Sequence, residues 1–123
     1  MDSPATTLVV KVTCGVEALE RLNQGFTVAA TALASGLDVS LWLTGDATLL
    51  VLPGRAEAVA LPHAAPLAEL RDALLEGARV TVCGQCAQRR GLTVDDLLPG
   101  VTVRGAAAFV EEVVAPGTRA LVY

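Results

Sequence analysis

The chain has 123 residues, of which 53% are hydrophobic and 18% charged, with a net charge of −4. This composition excludes intrinsic disorder, and the length fits one domain with a core of its own. The sequence has no apolar run of about 18 residues, no basic stripe and no basic leader. We therefore expect a cytoplasmic protein that binds neither a membrane nor a nucleic acid.

Strand and helix patterns alternate along the first half of the chain. Short apolar, β-branched runs predict buried strands, whereas apolar residues at three- and four-residue spacing predict an amphipathic helix. A glycine at the end of that spacing predicts where the helix stops. The predicted elements are a strand at 7–12, a helix from Val16 to Gly36, a strand at 38–43 and a short helix at 47–52.

The second half repeats this alternation after a segment with three prolines, Pro53 to Pro66, which we predict to be a surface loop. In the last predicted helix, Phe109, Val110 and Val113 share the side that we expect to be buried. The predicted elements are a helix at 66–77, a strand at 79–83, a short helix at 84–90, a strand at 101–103, a helix at 106–114 and a strand at 119–123.

Five strands separated by helices predict an α/β fold, a three-layer α/β/α sandwich with a five-stranded parallel sheet in a single domain over residues 1–123. In such sheets, ligands bind at the carboxyl ends of the strands. Cys14 follows the first strand, Asp46 follows the second and Cys83 ends the third. The sequence therefore predicts a site where these residues converge.

The segment Cys83-Gly-Gln-Cys86 is the strongest candidate for chemistry. A thiol at the start of a helix is close to unpaired backbone N–H groups, which stabilise the thiolate and lower the pKa of the cysteine. This predicts Cys83 as the attacking sulfur and Cys86 as the resolving or supporting one, with Arg89 and Arg90 adding positive potential. The alternative is that both cysteines are small buried hydrophobic residues.

Three other readings of these cysteines remain open but fit less well. A thioredoxin-like enzyme has its Cys-x-x-Cys after an early strand, whereas here the motif follows the third predicted strand. Zinc needs four ligands, which Cys14, Cys83, Cys86 and His63 supply only if the proline-containing loop folds over the sheet edge. Cys83 and Arg89 match the Cys-x5-Arg spacing of cysteine phosphatases, but the intervening loop lacks the glycines of a phosphate cradle.

The segment 82–91, Val-Cys-Gly-Gln-Cys-Ala-Gln-Arg-Arg-Gly, resembles the signature of the DsrE/DsrF/DsrH-like family, which includes the TusD-type sulfur-relay subunits. The Thr-Gly-Asp turn after the second strand adds to the likeness. The resemblance implies the parallel α/β/α fold, assembly as a trimer or hexamer, and a persulfide carried on Cys83. Cys14, Gly84, Arg89 and Asp46 are the expected substrate-binding residues, with core packing the alternative for Cys14.

Three functions follow as hypotheses. The first is a persulfide carrier or sulfurtransferase that works with donor and acceptor proteins, and the second is a dithiol redox protein using Cys83 and Cys86. The third is a non-catalytic oligomer that binds a small ligand. The sequence indicates no cofactor and no metal. The apolar stretches Leu49–Leu52 and Leu97–Leu98 are either part of a subunit interface or part of the core.

Overall fold

Strands and helices alternate as predicted in the structure, a computed structural model that describes residues 4–123. The strands are β1 (Thr7–Val12), β2 (Asp38–Leu43), β3 (Arg79–Cys83), β4 (Val101–Arg104) and β5 (Thr118–Val122). The α-helices are α1 (Leu19–Ala34), α2 (Leu67–Gly77), α3 (Gly84–Arg89) and α4 (Ala106–Val113). Short 3-10 helices form at Gly45–Val51, Ala56–Ala58 and Val94–Asp96.

The five strands form one sheet in the order β4-β3-β2-β1-β5, and every neighbouring pair is parallel. This confirms the predicted α/β fold with a five-stranded parallel sheet. Because all strands run in one direction, their carboxyl ends lie along one edge, where the β1, β2 and β3 connections meet. The register places Lys11 beside Trp42, and Trp42 beside Thr81, on three adjacent strands.

One face of the sheet is aliphatic and packs against α1 and α2. Side chains alternate between the two faces of a strand, so every second residue of β1, β2 and β3 enters this core. Phe26 of α1 and Leu74 of α2 are fully buried against it. The strand residues of this core are Val10, Val12, Val39, Leu41, Leu43, Val80 and Val82.

The opposite face carries more polar residues and is covered by α4. The indole N–H of Trp42 donates to Glu112 Oε2 over 3.0 Å, and the Trp42 ring meets Phe109 edge-on at 5.3 Å. The Lys11 ammonium lies 4.8 Å from the centre of the Phe109 ring. Cys83 is two residues after Thr81 on β3, so its side chain is on the same face of the sheet.

Two expectations change in the structure, and one open alternative is decided. Val110 is 55% exposed rather than buried, because Phe109 and Glu112 are the α4 side chains that contact Trp42 of the sheet. The proline-containing segment is not only a surface loop, since Ala56 is buried and Arg71 binds both carboxylate oxygens of Glu57 at 2.7 and 2.8 Å. Of the two apolar stretches, Leu50, Val51 and Leu97 are core residues.

No helix within residues 4–123 is both long enough and apolar enough to cross a membrane.

Candidate functional site

Cys83 is the last residue of β3 and the N-cap of α3, at the carboxyl edge of the sheet. Its backbone is extended (φ −63°, ψ 124°), and the chain turns directly into the helix at Gly84. Its side chain is half-buried, so the sulfur is reachable without being fully solvated. The position agrees with the strand-to-helix junction expected from the sequence.

The pKa of Cys83 is lowered from the ordinary value for a thiol. Burial raises the pKa, but hydrogen bonding from the backbone amide and thiol of Cys86 and from the Gln85 amide outweighs that effect. The positive charge of Lys11 lowers the pKa further. Because α3 has only six residues, these local donors account for the stabilisation better than a helix macrodipole does. The arrangement favours a thiolate at Cys83.

Cys86 lies directly behind Cys83 and is 8% exposed. Its sulfur accepts a hydrogen bond from the Gly45 N–H at 3.2 Å. Gly45 has φ +54°, and a Cβ at this position would lie 2.6 Å from the Thr13 carbonyl oxygen. Only glycine therefore allows this turn to bring its N–H to the Cys86 sulfur.

An ion pair ties the turn after β2 to α3. Arg90 donates from Nε and Nη2 to Asp46 Oδ1 at 3.1 and 2.7 Å, and from Nη1 to the Cys86 carbonyl oxygen at 3.1 Å. By contrast, Arg89 is exposed, and its Nη1 lies 4.0 Å from the Cys86 sulfur. Asp46 and Arg90 thus fix the backbone that presents Cys83.

The other two predicted substrate-binding residues, Gly84 and Cys14, have different surroundings. Gly84 is the first residue of α3, where a Cβ would make only ordinary contacts with Val103 and the Arg104 carbonyl. Cys14 is part of the aliphatic core, and its thiol approaches the Ala18 carbonyl oxygen at 3.9 Å. Burial raises the pKa of Cys14, which keeps it a neutral thiol and fits the packing alternative.

The described residues do not bring together metal ligands. Within residues 4–123, no group of three or more His, Cys, Asp or Glu side chains could hold a metal ion. His63 is exposed and adopts φ +60°. The three cysteines are free thiols.

Two residues of this region were not among the predicted site residues. Lys11 has a signal in the sequence, because it is the one charged residue in a strand otherwise expected to be buried. The sequence identifies Arg90 as part of a basic pair, but it is the neighbouring Arg89 that we predict to bind substrate. In a short helix, consecutive residues point in directions about 100° apart, so the exact helix start decides which arginine faces Asp46.

Comparison with known sequences gives one family and several relatives. The profile described as the DsrE/DsrF-like family matches residues 8–120. The chain is 31% identical over 108 residues to the uncharacterized protein MJ0760 of Methanocaldococcus jannaschii, a match that covers 87% of this chain but 39% of that protein. It is 34% identical over 98 residues to MJ0989 of the same organism, covering 76% of this chain and 82% of MJ0989.

A third relative is MK0008 of Methanopyrus kandleri, at 33% identity over 67% of this chain and 65% of that protein. Among solved structures, the YchN protein from E. coli superposes with a TM-score of 0.77 at 19% identity, covering 97% of this chain and 99% of YchN. MTH1491 from Methanobacterium thermoautotrophicum, a protein of unknown function, gives 0.70 at 14% identity, covering 95% and 98%. At these identities the two structures establish a shared fold.

Proposed function

Because this chain belongs to the DsrE/DsrF-like family, we propose that it carries sulfur as a persulfide on Cys83 and passes it on in a sulfur-relay reaction. The observation that supports this proposal is the environment of Cys83. The thiol is half-buried at the edge of the sheet, and hydrogen bonds from Cys86 and Gln85 lower its pKa. Thiolate, rather than thiol, is the form that attacks sulfur.

The loading step is a thiol–persulfide exchange. The Cys83 thiolate attacks the terminal sulfur of a donor persulfide, R–S–SH, so that a new S–S bond forms as the donor S–S bond breaks. The products are Cys83–S–SH and the donor thiolate R–S⁻, with no net oxidation. An acceptor thiolate then removes the terminal sulfur in the same way. Donor and acceptor are proposed to be other proteins of the relay.

Mass spectrometry of the intact protein tests the loading step. Incubation with a small-molecule persulfide, followed by removal of the excess, is expected to add one sulfur atom to the wild-type chain and none to Cys83→Ser. Cys14→Ser is the matched control, because Cys14 lies in the core and is expected to leave the adduct unchanged. An adduct that survives in Cys83→Ser, or fails to form in the wild type, contradicts the proposal.

A dithiol redox function is the second candidate, because Cys86 follows Cys83 by one turn of α3 and is among the groups that lower the pKa of Cys83. In this reaction, two thiols would lose two electrons and two protons to an added oxidant and form a disulfide. Counting free thiols before and after mild oxidation separates the two candidates. Reversible loss of two thiols without added sulfur would favour the redox function, whereas sulfur gain without thiol pairing favours the carrier.

We further propose that the chain assembles as a homo-oligomer, a trimer or hexamer, through α4 and β5. Val110 on α4, Val114 directly after this helix, and Leu121 and Val122 on β5 are exposed apolar residues, and α4 and β5 are in contact. Light scattering should give a multiple of 12.6 kDa for the wild type and a smaller mass for Val110→Lys. Val94→Lys is the control, since Val94 is 54% exposed in the separate connection before β4.

A further inference from the structure

A cavity lies on the aliphatic side of the cysteine site. It has a volume of about 510 Å³ and opens between the 3-10 helix Val16–Ala18 that leads into α1, the 3-10 helix Gly45–Val51 and the chain at 55–60. This volume is in the range of roughly 300–1,000 Å³ found for small-molecule sites. Its walls are mostly aliphatic, formed by Val16, Leu19, Leu49, Leu50 and Val59.

The rim of this cavity leaves apolar surface in contact with water. Val16 is 65% exposed although it stands at the mouth of an aliphatic pocket. A ligand with an apolar body would cover this side chain together with the leucines beneath it, and removal of that surface from water would favour binding. The walls therefore select for an aliphatic group.

The charged residues around the cavity favour a ligand that also carries a negative charge. Arg55 and Asp46 are its two charged lining residues. Asp46 is bound by Arg90, and Glu57, two residues after Arg55, is held on both oxygens by Arg71. Arg55 forms no ion pair within the part of the chain that the structure describes. Its guanidinium is therefore available to an external anion.

We propose that this cavity binds a small molecule with an aliphatic body and one carboxylate, and that Arg55 pairs with the carboxylate. The ion pair with Arg90 offsets the charge of Asp46, so repulsion of the incoming carboxylate is reduced. This site goes beyond the proposed sulfur chemistry, since Cys83 is not one of its lining residues. Binding to the 123-residue chain can be tested without a persulfide.

A two-dimensional amide NMR titration with three eight-carbon probes provides the test. Octanoate is expected to bind more tightly than 1-octanol, and octylamine more weakly than either, because only octanoate complements Arg55. Arg55→Gln should weaken octanoate binding by roughly three- to tenfold and leave octanol binding unchanged. Arg119→Gln, an exposed arginine on β5 outside the cavity, is the matched control and should bind as the wild type does.

A second variant fixes the location. Ala60 is exposed and lines the cavity, so Ala60→Phe should narrow it without disturbing the core and should weaken octanoate binding. Cys83→Ser should bind octanoate normally, which separates this result from any failure of the persulfide assay. Equal affinity for octanoate and octanol, tightest binding of octylamine, unchanged binding in Ala60→Phe, or no binding at all would each overturn the proposal.

Discussion

The two faces of the sheet differ in what covers them. On one face, α1 and α2 enclose a core of aliphatic side chains in which Val10, Leu43 and Phe26 have no exposed surface. On the other, α4 covers a row that includes Lys11, Ser40, Trp42 and Thr81, and no residue of α4 is itself fully buried. The first face provides stability, whereas the second places polar and charged groups on the side where Cys83 lies.

The largest expected effect is a loss of stability on the aliphatic face. Phe26→Ala should lower the free energy of unfolding by about 3–5 kcal/mol, because it empties a fully buried site. Phe109→Ala on the other face should cost only roughly 1–2 kcal/mol, since Phe109 is half-buried and its main aromatic contact is Trp42. Urea unfolding measures both. Equal losses in the free energy of unfolding would mean that the two faces contribute equally to stability.

The next effect concerns the turn where β2 meets the cysteine segment. Gly45→Ala should cost about 1–3 kcal/mol, because alanine is strained at φ +54° and its Cβ would meet the Thr13 carbonyl. It should also displace the N–H from the Cys86 sulfur and slow sulfur loading at Cys83. Gly54→Ala is the control, since Gly54 also has a positive φ but no atom within 4 Å of an added Cβ. A loading rate that falls equally in both variants would contradict this role for Gly45.

The fold was predictable because its signals are local. The β-branched run at 7–12 and the apolar spacing of α1 each specify an element, and the strand ending at Cys83 specifies the junction. The partners of Cys83 were not predictable in full, because they depend on strand order and register. Lys11 is on β1, separated from β3 by β2, and no spacing in the sequence brings these strands together.

The errors have the same origin. The sequence predicts that Val110 is buried because it shares one side of the helix with Phe109 and Val113, but its exposure depends on which elements pack around α4. The burial of Ala56 likewise depends on tertiary contacts, because the 3-10 helix Ala56–Ala58 packs against α2 and Ala56 joins the hydrophobic core. The spacing of apolar residues predicts which side of a helix is suited to burial, but it does not predict whether another element covers that side.

A smaller effect tests Arg71 of α2, the one buried charged residue in the part of the chain that the structure describes. Arg71 is 5% exposed and lowers the pKa of Glu57 from 4.5 to about 2. Since the folded pKa is the lower one, the stabilisation is fully present above about pH 4.5 and is lost as the pH falls towards 2. Glu57→Gln should therefore destabilise the protein at neutral pH, with a difference from wild type that shrinks below pH 4.5. Urea unfolding at several pH values measures this, with Glu69→Gln as an exposed control on α2. A difference that does not change with pH would contradict the ion pair as its cause.

The smallest expected effect tests the charge on the other face. Lys11→Met keeps an apolar stem against Phe109 but removes the positive charge that helps to lower the pKa of Cys83. The pH profile of Cys83 alkylation, followed on the Cys83 peptide by mass spectrometry, should move to higher pH. At neutral pH the rate should fall about two- to fivefold, an effect that added salt weakens. Lys11→Arg should preserve the wild-type profile because it preserves the charge. If Lys11→Met also preserves it, the hydrogen bonds from Cys86 and Gln85 are sufficient, and the polar face contributes no charge effect to the thiol.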